Sequence, residues 1–445
     1  MKKVCLIFVI TFSCMVGWAQ GSSESDFEKY SKKAKAGDAY AMNELGVLYY
    51  KQKDYQKAYE WQSKAAEKGN AAGMYNVGWS FKLGHGVPQD YKTAFDWFLK
   101  AAENGYSAGM NQIGNLYYEG NGVTQNYQKA FEWFTKAAER GNANAMNWIG
   151  FLYESGKGVQ QDYKKAFEWY MEAVEKGNVN AMSRIGILYA NGNGVTQDYN
   201  KAFEWYTKAA EKGDGSGMRN LGYLYYHGHG VQQDYKKAFE WYTKAAEKGN
   251  GGGMNNLGYL YENGNGVQQD YKKAFEWYTK AANKGVARGM HNLGNLYFDG
   301  NGVTQDYKKA FEWWEKAAEK ENSTAMSDLG WMYYYGNGIQ QDYKKAFEWM
   351  SKAAEKGHNL SIGRLAEMYY YGYYVTKDYN KAFKMAKEAA EKDGSESGTA
   401  MRILSACYRY GVGGAPKDND KAKYWLEESA KHKDEISMSL SKKVE

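Results

Sequence analysis

The chain has 445 residues, 43% of them hydrophobic and 25% charged, with 51 glycines and only two prolines, a balance that excludes a disordered or collagen-like polymer. Its net charge of +6, from 58 basic and 52 acidic residues, is too slight to point to nucleic acid. Three cysteines in a chain of this length exclude a disulfide scaffold, so the core must be held by packing.

The first twenty residues stand apart. Lys2 and Lys3 precede an uncharged apolar run from Val4 to Trp18, and Gly17-Trp18-Ala19 supplies the small-x-small pattern of a signal peptidase site. Residues 1–19 therefore read as a signal peptide, too short for a comfortable membrane span and followed at once by polar residues. Thr11-Phe12-Ser13 fits poorly as the approach to a lipidated Cys14. Cleavage would remove Cys5 and Cys14, leave Cys407 alone and lower the net charge from +6 to +4. Asp26 to Lys35 reads as an extra leading helix within a capping segment, 20–37.

From there a period governs the chain. Tryptophans recur at Trp61, Trp97, Trp133, Trp169, Trp205, Trp241, Trp277, Trp313 and Trp349, each 36 residues after the last. Met385 continues the ladder and Trp425 closes it after a longer step. Eleven units follow, over 38–430, with 431–445 left as a cap or tail. Each holds two amphipathic segments. In the third, Met110, Ile113, Gly114 and Tyr117 lie at i, i+3, i+4 and i+7, and Ala130, Trp133, Phe134, Ala137 and Ala138 repeat that spacing. Nothing alternates with period two, so no strand is predicted. Between the segments Gly120-Asn121-Gly122-Val123 reads as a left-handed helix stop and a turn. A lone helical hairpin cannot hide both apolar stripes, but a row of stacked hairpins can. The predicted fold is all-α, a right-handed solenoid of helix-turn-helix repeats.

The pattern Leu-Gly-x-x-Tyr, Gly-x-Gly-Val, Asp-Tyr-x-x-Ala-x-x-Trp and Ala-Ala-x-x-Gly resembles the Sel-1-like repeat, a relative of the tetratricopeptide repeat. It weakens at both ends, where the first unit has Lys51-Gln52-Lys53 and the tenth Gly372-Tyr373-Tyr374-Val375. Within this frame Trp133 and its counterparts are expected to fill the gap between units. Gly114 and its counterparts, inside a helix where glycine costs about 1 kcal/mol relative to alanine, are expected to permit close helix approach. The Gly-x-Gly turns follow a helix, which is the wrong setting for a phosphate loop. His227 and His229 form the only His-x-His, without cysteine or carboxylate at ligand spacing, so no metal is expected. No nucleophile, base and orienting group stand together, so no catalytic residue and no cofactor is expected.

The second helices are near copies of one another, whereas a stripe on the first helices changes from unit to unit. The positions of Asn111, Asn115 and Tyr118 become Asn147, Phe151 and Glu154 in the next unit, and Asn255, Tyr259 and Glu262 three units further on. Their spacing of four and three puts each trio on one face. The resemblance implies that this face lines a concave groove where partners lie, floored by Arg219, Tyr223, Tyr226, Tyr259, His291, Phe298, Trp331 and Tyr334. Aromatics with an occasional arginine are the usual anchors of such a surface. The implied function is a non-catalytic scaffold or adaptor for a protein or peptide, in the bacterial periplasm or outside the cell. Two alternatives stay open: glycan capture by exposed aromatics, and an envelope hydrolase like a cysteine-rich branch of the family, whose paired cysteines are missing here.

Overall fold

The computed structural model describes residues 24–392 and 397–432. The expected signal peptide, with Cys5 and Cys14, lies outside them, as does the tail beyond His432. The described residues form 23 helices and no strand, in two compact units, one ending at Trp241 and the other beginning at Tyr242. The boundary falls inside the helix Tyr235–Glu247. A leading helix, Glu24–Lys35, packs against Ala39–Lys51, and from there first and second helices alternate to Asn419–Lys431.

Local signals set the ends of each helix. Asn142 Oδ1 accepts the backbone N–H of Ala145 at 3.0 Å to start one first helix, and Asp162 Oδ1 accepts that of Lys165 at 3.0 Å to start the following second helix. Gly156 ends the first helix at φ 68°, in the left-handed region that favours glycine. The second glycine of the turn has another duty. A β-carbon on Gly158 would sit 2.5 Å from the carbonyl carbon of Tyr127, at the start of the preceding repeat's second helix. The turn therefore abuts the neighbouring repeat at a point where only hydrogen fits. In the tenth repeat Tyr374 takes the place of that second glycine and keeps the left-handed conformation at φ 64°, and in the shorter turn of the first unit Lys53 adopts the same φ just after Gln52 ends the helix.

The core lies between the helices of each pair and between successive pairs. Second helices bury an alanine stripe, Ala130, Ala137 and Ala138 in the third repeat. The large buried residue is the one after the tryptophan: Phe98, Phe134, Tyr170 and Tyr278 are fully buried. The tryptophans expected to fill this gap are only half-buried, and in most repeats a lysine three residues on lies over the indole, as Lys136 Nζ does 4.4 Å from the Trp133 centroid. The glycine expectation holds, because a β-carbon on Gly114 would stand 2.6 Å from the Phe134 ring and one on Gly150 would stand 2.7 Å from that of Tyr170. Successive repeats also meet edge to face, as Phe95 and Tyr117 do at 5.6 Å and 87°.

Replacing Gly150 by leucine must displace Tyr170, so we expect a loss of about 1–3 kcal/mol, the usual cost of overpacking. A lowered urea midpoint checks this, whereas leucine in place of the exposed Lys164 should leave the midpoint unchanged.

Candidate functional site

The variable first-helix face divides by depth. Its first position is largely structural. Ser183 Oγ donates to the Asp214 carboxylate, Asn255 Oδ1 accepts from Asn292 at 3.0 Å, and His291 Nε2 lies 2.7 Å from Asp328 Oδ2. These contacts join the first helices of successive repeats, and His291 is buried by them. Some of the remaining variation answers to the core. A buried phenol or indole needs a hydrogen-bond acceptor. Tyr170 Oη donates to Glu154 Oε2 at 2.5 Å, Tyr278 Oη to Glu262 Oε2 at 2.5 Å, and Trp314 Nε1 to Asn295 Oδ1 at 2.9 Å. Burial raises the Glu262 carboxyl above its ordinary range, and the nearby Asp299 charge adds to the effect. The Phe134 ring needs no acceptor, and its repeat carries Tyr118 at the position of these glutamates.

Of the residues expected to floor a groove, Tyr223 is 47% exposed and Tyr259 43%. Arg219, Tyr226, Phe298 and Trp331 are half-buried, and Tyr334 is buried. The structure thus places His291 and Tyr334 beneath the surface. Tyr334 is covered by its neighbours Tyr335, Tyr343 and Tyr373, at 4.9, 5.3 and 6.0 Å between ring centroids. In the unit ending at Trp241, Tyr223 lies 4.3 Å from His227, whose ring stacks on His229 at 5.5 Å. His229 in turn stacks on Tyr199 at 4.7 Å, and Tyr226 meets Tyr235 at 5.0 Å. Burial and the neighbouring His229 lower the pKa of His227. Arg219 donates to Asn220 Oδ1 at 3.0 Å.

In the unit beginning at Tyr242, rings form a continuous belt. Phe298 meets Trp331 at 5.7 Å, Trp331 meets Tyr335 at 5.0 Å, and Tyr335 meets Tyr334. The belt passes through Tyr373 to Tyr371 at 5.5 Å, then to Tyr370 at 5.0 Å and Tyr379 at 5.2 Å. Exposed tyrosines on the belt and beyond it were missed by the sequence reading. Tyr335, Tyr371 and Tyr410 end the first helices Ser323–Tyr335, Asn359–Tyr371 and Gly398–Tyr410, and they are 45%, 40% and 66% exposed. The signal was available one residue beyond the trio, in Tyr-Tyr-Gly, Tyr-Tyr-Gly and Arg-Tyr-Gly. The turn residue between the glycines was missed too: Lys157 Nζ donates to Tyr118 Oη at 2.9 Å, and His85 Nδ1 meets Tyr50 Oη at 3.1 Å.

Beneath the belt lies a charged triad. The buried Glu367 carboxylate accepts from Arg364 and from Arg402, each at 2.5 Å. Arg364 also lies over Tyr334 and Tyr335, 5.3 and 5.6 Å from their centroids. Burial alone would raise the Glu367 carboxyl, but the two guanidiniums outweigh it and hold the group below its ordinary range. Among the described residues no group of three histidine, cysteine or acidic side chains could hold a metal. The Cys407 thiol is buried, and burial pushes its pKa up to about 12, so little reactive thiolate exists near neutral pH. No helix among the described residues is long and apolar enough to cross a membrane.

A family model described as Sel1 repeat matches residues 39–70, 71–106, 107–142, 143–178, 179–214, 215–250, 252–286, 287–322, 323–358, 361–394 and 398–434. The chain is similar to a solved protective antigen of uropathogenic Escherichia coli described as displaying an SLR fold, at 34% identity over 94% of this chain and 90% of that one, with a TM-score of 0.56. It is also similar to a Sel1 repeat protein from Oxalobacter formigenes, at 32% identity over 55% of this chain and 96% of that one, with a TM-score of 0.47. No curated protein matches the chain.

A carboxyl held low in the folded state gives stability that is present above the unfolded pKa and lost as pH falls through the folded one. Glu367→Gln should therefore melt well below the parent at pH 7, leaving two guanidiniums without their partner, and the gap should narrow as pH falls below the ordinary carboxylate value of 4.5. Thermal scans of both chains at pH 7 and pH 3 measure it, and a gap independent of pH would contradict the assignment.

Proposed function

The chain belongs to the Sel1 repeat family, and from that premise we propose that it is an exported, non-catalytic scaffold that holds a protein or peptide against the exposed tyrosines of its first helices. Proteins of this family are mainly scaffolds that bind other proteins. The observation that carries the reading is the row Tyr335, Tyr371 and Tyr410. Three consecutive repeats spend the same exposed position on a large aromatic side chain, where earlier repeats have Glu119, Ser155 or Asn191. Each of these rings leaves 40% or more of its surface to solvent, so only the inner edges of Tyr335 and Tyr371, against Tyr334 and Tyr370, serve packing. Exposed tyrosines gathered together are what a partner surface uses, since each offers apolar area and a hydroxyl at small entropic cost. Tyr223 with its two histidines supplies a second such patch in the other unit. The apolar leader from Val4 to Trp18 supports export.

Two measurements test the proposal. Substituting Tyr335 and Tyr371 together by alanine should abolish capture of a partner from bacterial envelope extract and lower the thermal midpoint only slightly, through the lost contacts with Tyr334 and Tyr370. A fall in midpoint without loss of capture would make the pair structural. Amino-terminal sequencing of the exported chain should begin at Gln20, and a start at Met1 would remove the export reading.

A further inference from the structure

Eight repeats end their turn on a glutamine that clips the first helix closed by donating to one of its carbonyls. Gln125 Nε2 reaches the Tyr118 carbonyl at 2.9 Å, and Gln341 Nε2 reaches that of Tyr334 at 2.8 Å. The last two repeats have lysine there, Lys377 and Lys417. The register is the same: a β-carbon added to the capping glycine would meet Gln125 in the third repeat, Lys377 in the tenth and Lys417 in the eleventh. Both lysines are exposed, and neither forms a hydrogen bond or ion pair with the described residues. The exchange gives up a hydrogen bond worth about 0.5–1.5 kcal/mol and adds a positive charge, so folding does not account for it.

The first helices of the same two repeats carry Arg364, Arg402 and Arg409 against a single carboxylate, Glu367, which is already shared by the first two. Arg409 has no hydrogen bond or ion pair with the described residues. Asp378 and Asp418 are the helix caps found in the other repeats too, occupied by the backbone N–H groups of Lys381 and Lys421 at 2.9 Å. Cations thus gather around the exposed tyrosines at one end of the repeat array, where earlier repeats set Glu119 and Asp299 at the tyrosine position.

We infer that this tyrosine and cation edge takes an acidic peptide segment, whose carboxylates meet Lys377, Arg409 and Lys417 while its chain lies over Tyr371 and Tyr410. The inference rests on the scaffold reading and names the chemistry of its partner. Single exposed ion pairs contribute little, so recognition depends on several acting together and weakens with salt.

The test uses the purified chain and two dye-labelled peptides, GEDGEDGEDGED and its amide counterpart GQNGQNGQNGQN, followed by fluorescence anisotropy. The acidic peptide should bind about tenfold more tightly in low salt, and the gap should close as ionic strength rises. Lys377→Gln with Lys417→Gln restores the residue of the other repeats, and adding Arg409→Gln should bring the acidic peptide down to the affinity of the amide one without lowering the thermal midpoint. Equal binding of the two peptides, or no binding, overturns the inference, as does a single-stranded DNA that displaces the acidic peptide at equal concentration. If the parent chain captures an envelope protein through Tyr335 and Tyr371 while ignoring the acidic peptide, the scaffold reading stands and the acidic preference falls.

Discussion

One contact repeats through the fold: a large second-helix side chain laid on a first-helix glycine. Phe134 on Gly114, Tyr170 on Gly150, Tyr278 on Gly258 and Trp314 on Gly294 each leave no room for a β-carbon. Glycine there forgoes about 1 kcal/mol of helix propensity, and burial of a whole ring outweighs the loss. The choice of ring then reaches the face of the first helix. A phenylalanine asks nothing more, whereas Tyr170, Tyr278 and Trp314 donate to Glu154, Glu262 and Asn295, although Ala190 at the glutamate register offers Tyr206 no such acceptor. Part of the variation among first helices is therefore set from inside.

The last repeats solve the same problem differently. Ala366 and Ser405 take the glycine register, Ala386 and Leu426 take that of the ring, and all four are buried. With smaller groups in the core, the first helices Asn359–Tyr371 and Gly398–Tyr410 are tied by Arg364, Glu367 and Arg402 instead. A buried carboxylate with two guanidinium partners contributes less net stability than a ring, because desolvation opposes it, but it fixes geometry. That geometry holds Arg364 against Tyr334 and Tyr335, and Arg402 near Tyr371. Support beneath the tyrosine row and positive charge around it come from the same two repeats.

The fold was legible in the sequence because its signals are local and repeated. Asp162 starts a helix and Gly156 ends one through contacts a few residues away, and eleven copies put the register beyond doubt. Gly114 was legible for the same reason, since a recurring helix glycine has few causes. The site was legible only in part. Tyr223 and Tyr259 are exposed as their face implied, yet His291 and Tyr334 are not: Asp328 closes over the first from the next repeat, and Tyr335, Tyr343 and Tyr373 cover the second. Tyr335, Tyr371 and Tyr410 escaped notice because they sit at the helix end, one residue outside the trio.

The sequence by itself determined an all-α chain, the 36-residue period, the helix ends and the family, since each depends on neighbours within one or two turns of backbone. Only the tertiary structure decided that the residue after the tryptophan, and not the tryptophan, fills the core, and which first-helix side chains reach solvent. Trp133 and Phe134 are adjacent on one apolar stripe, about 100° apart around the helix, so periodicity cannot rank them. The glycine of the partner helix ranks them, because the Phe134 ring is the one that lies against it.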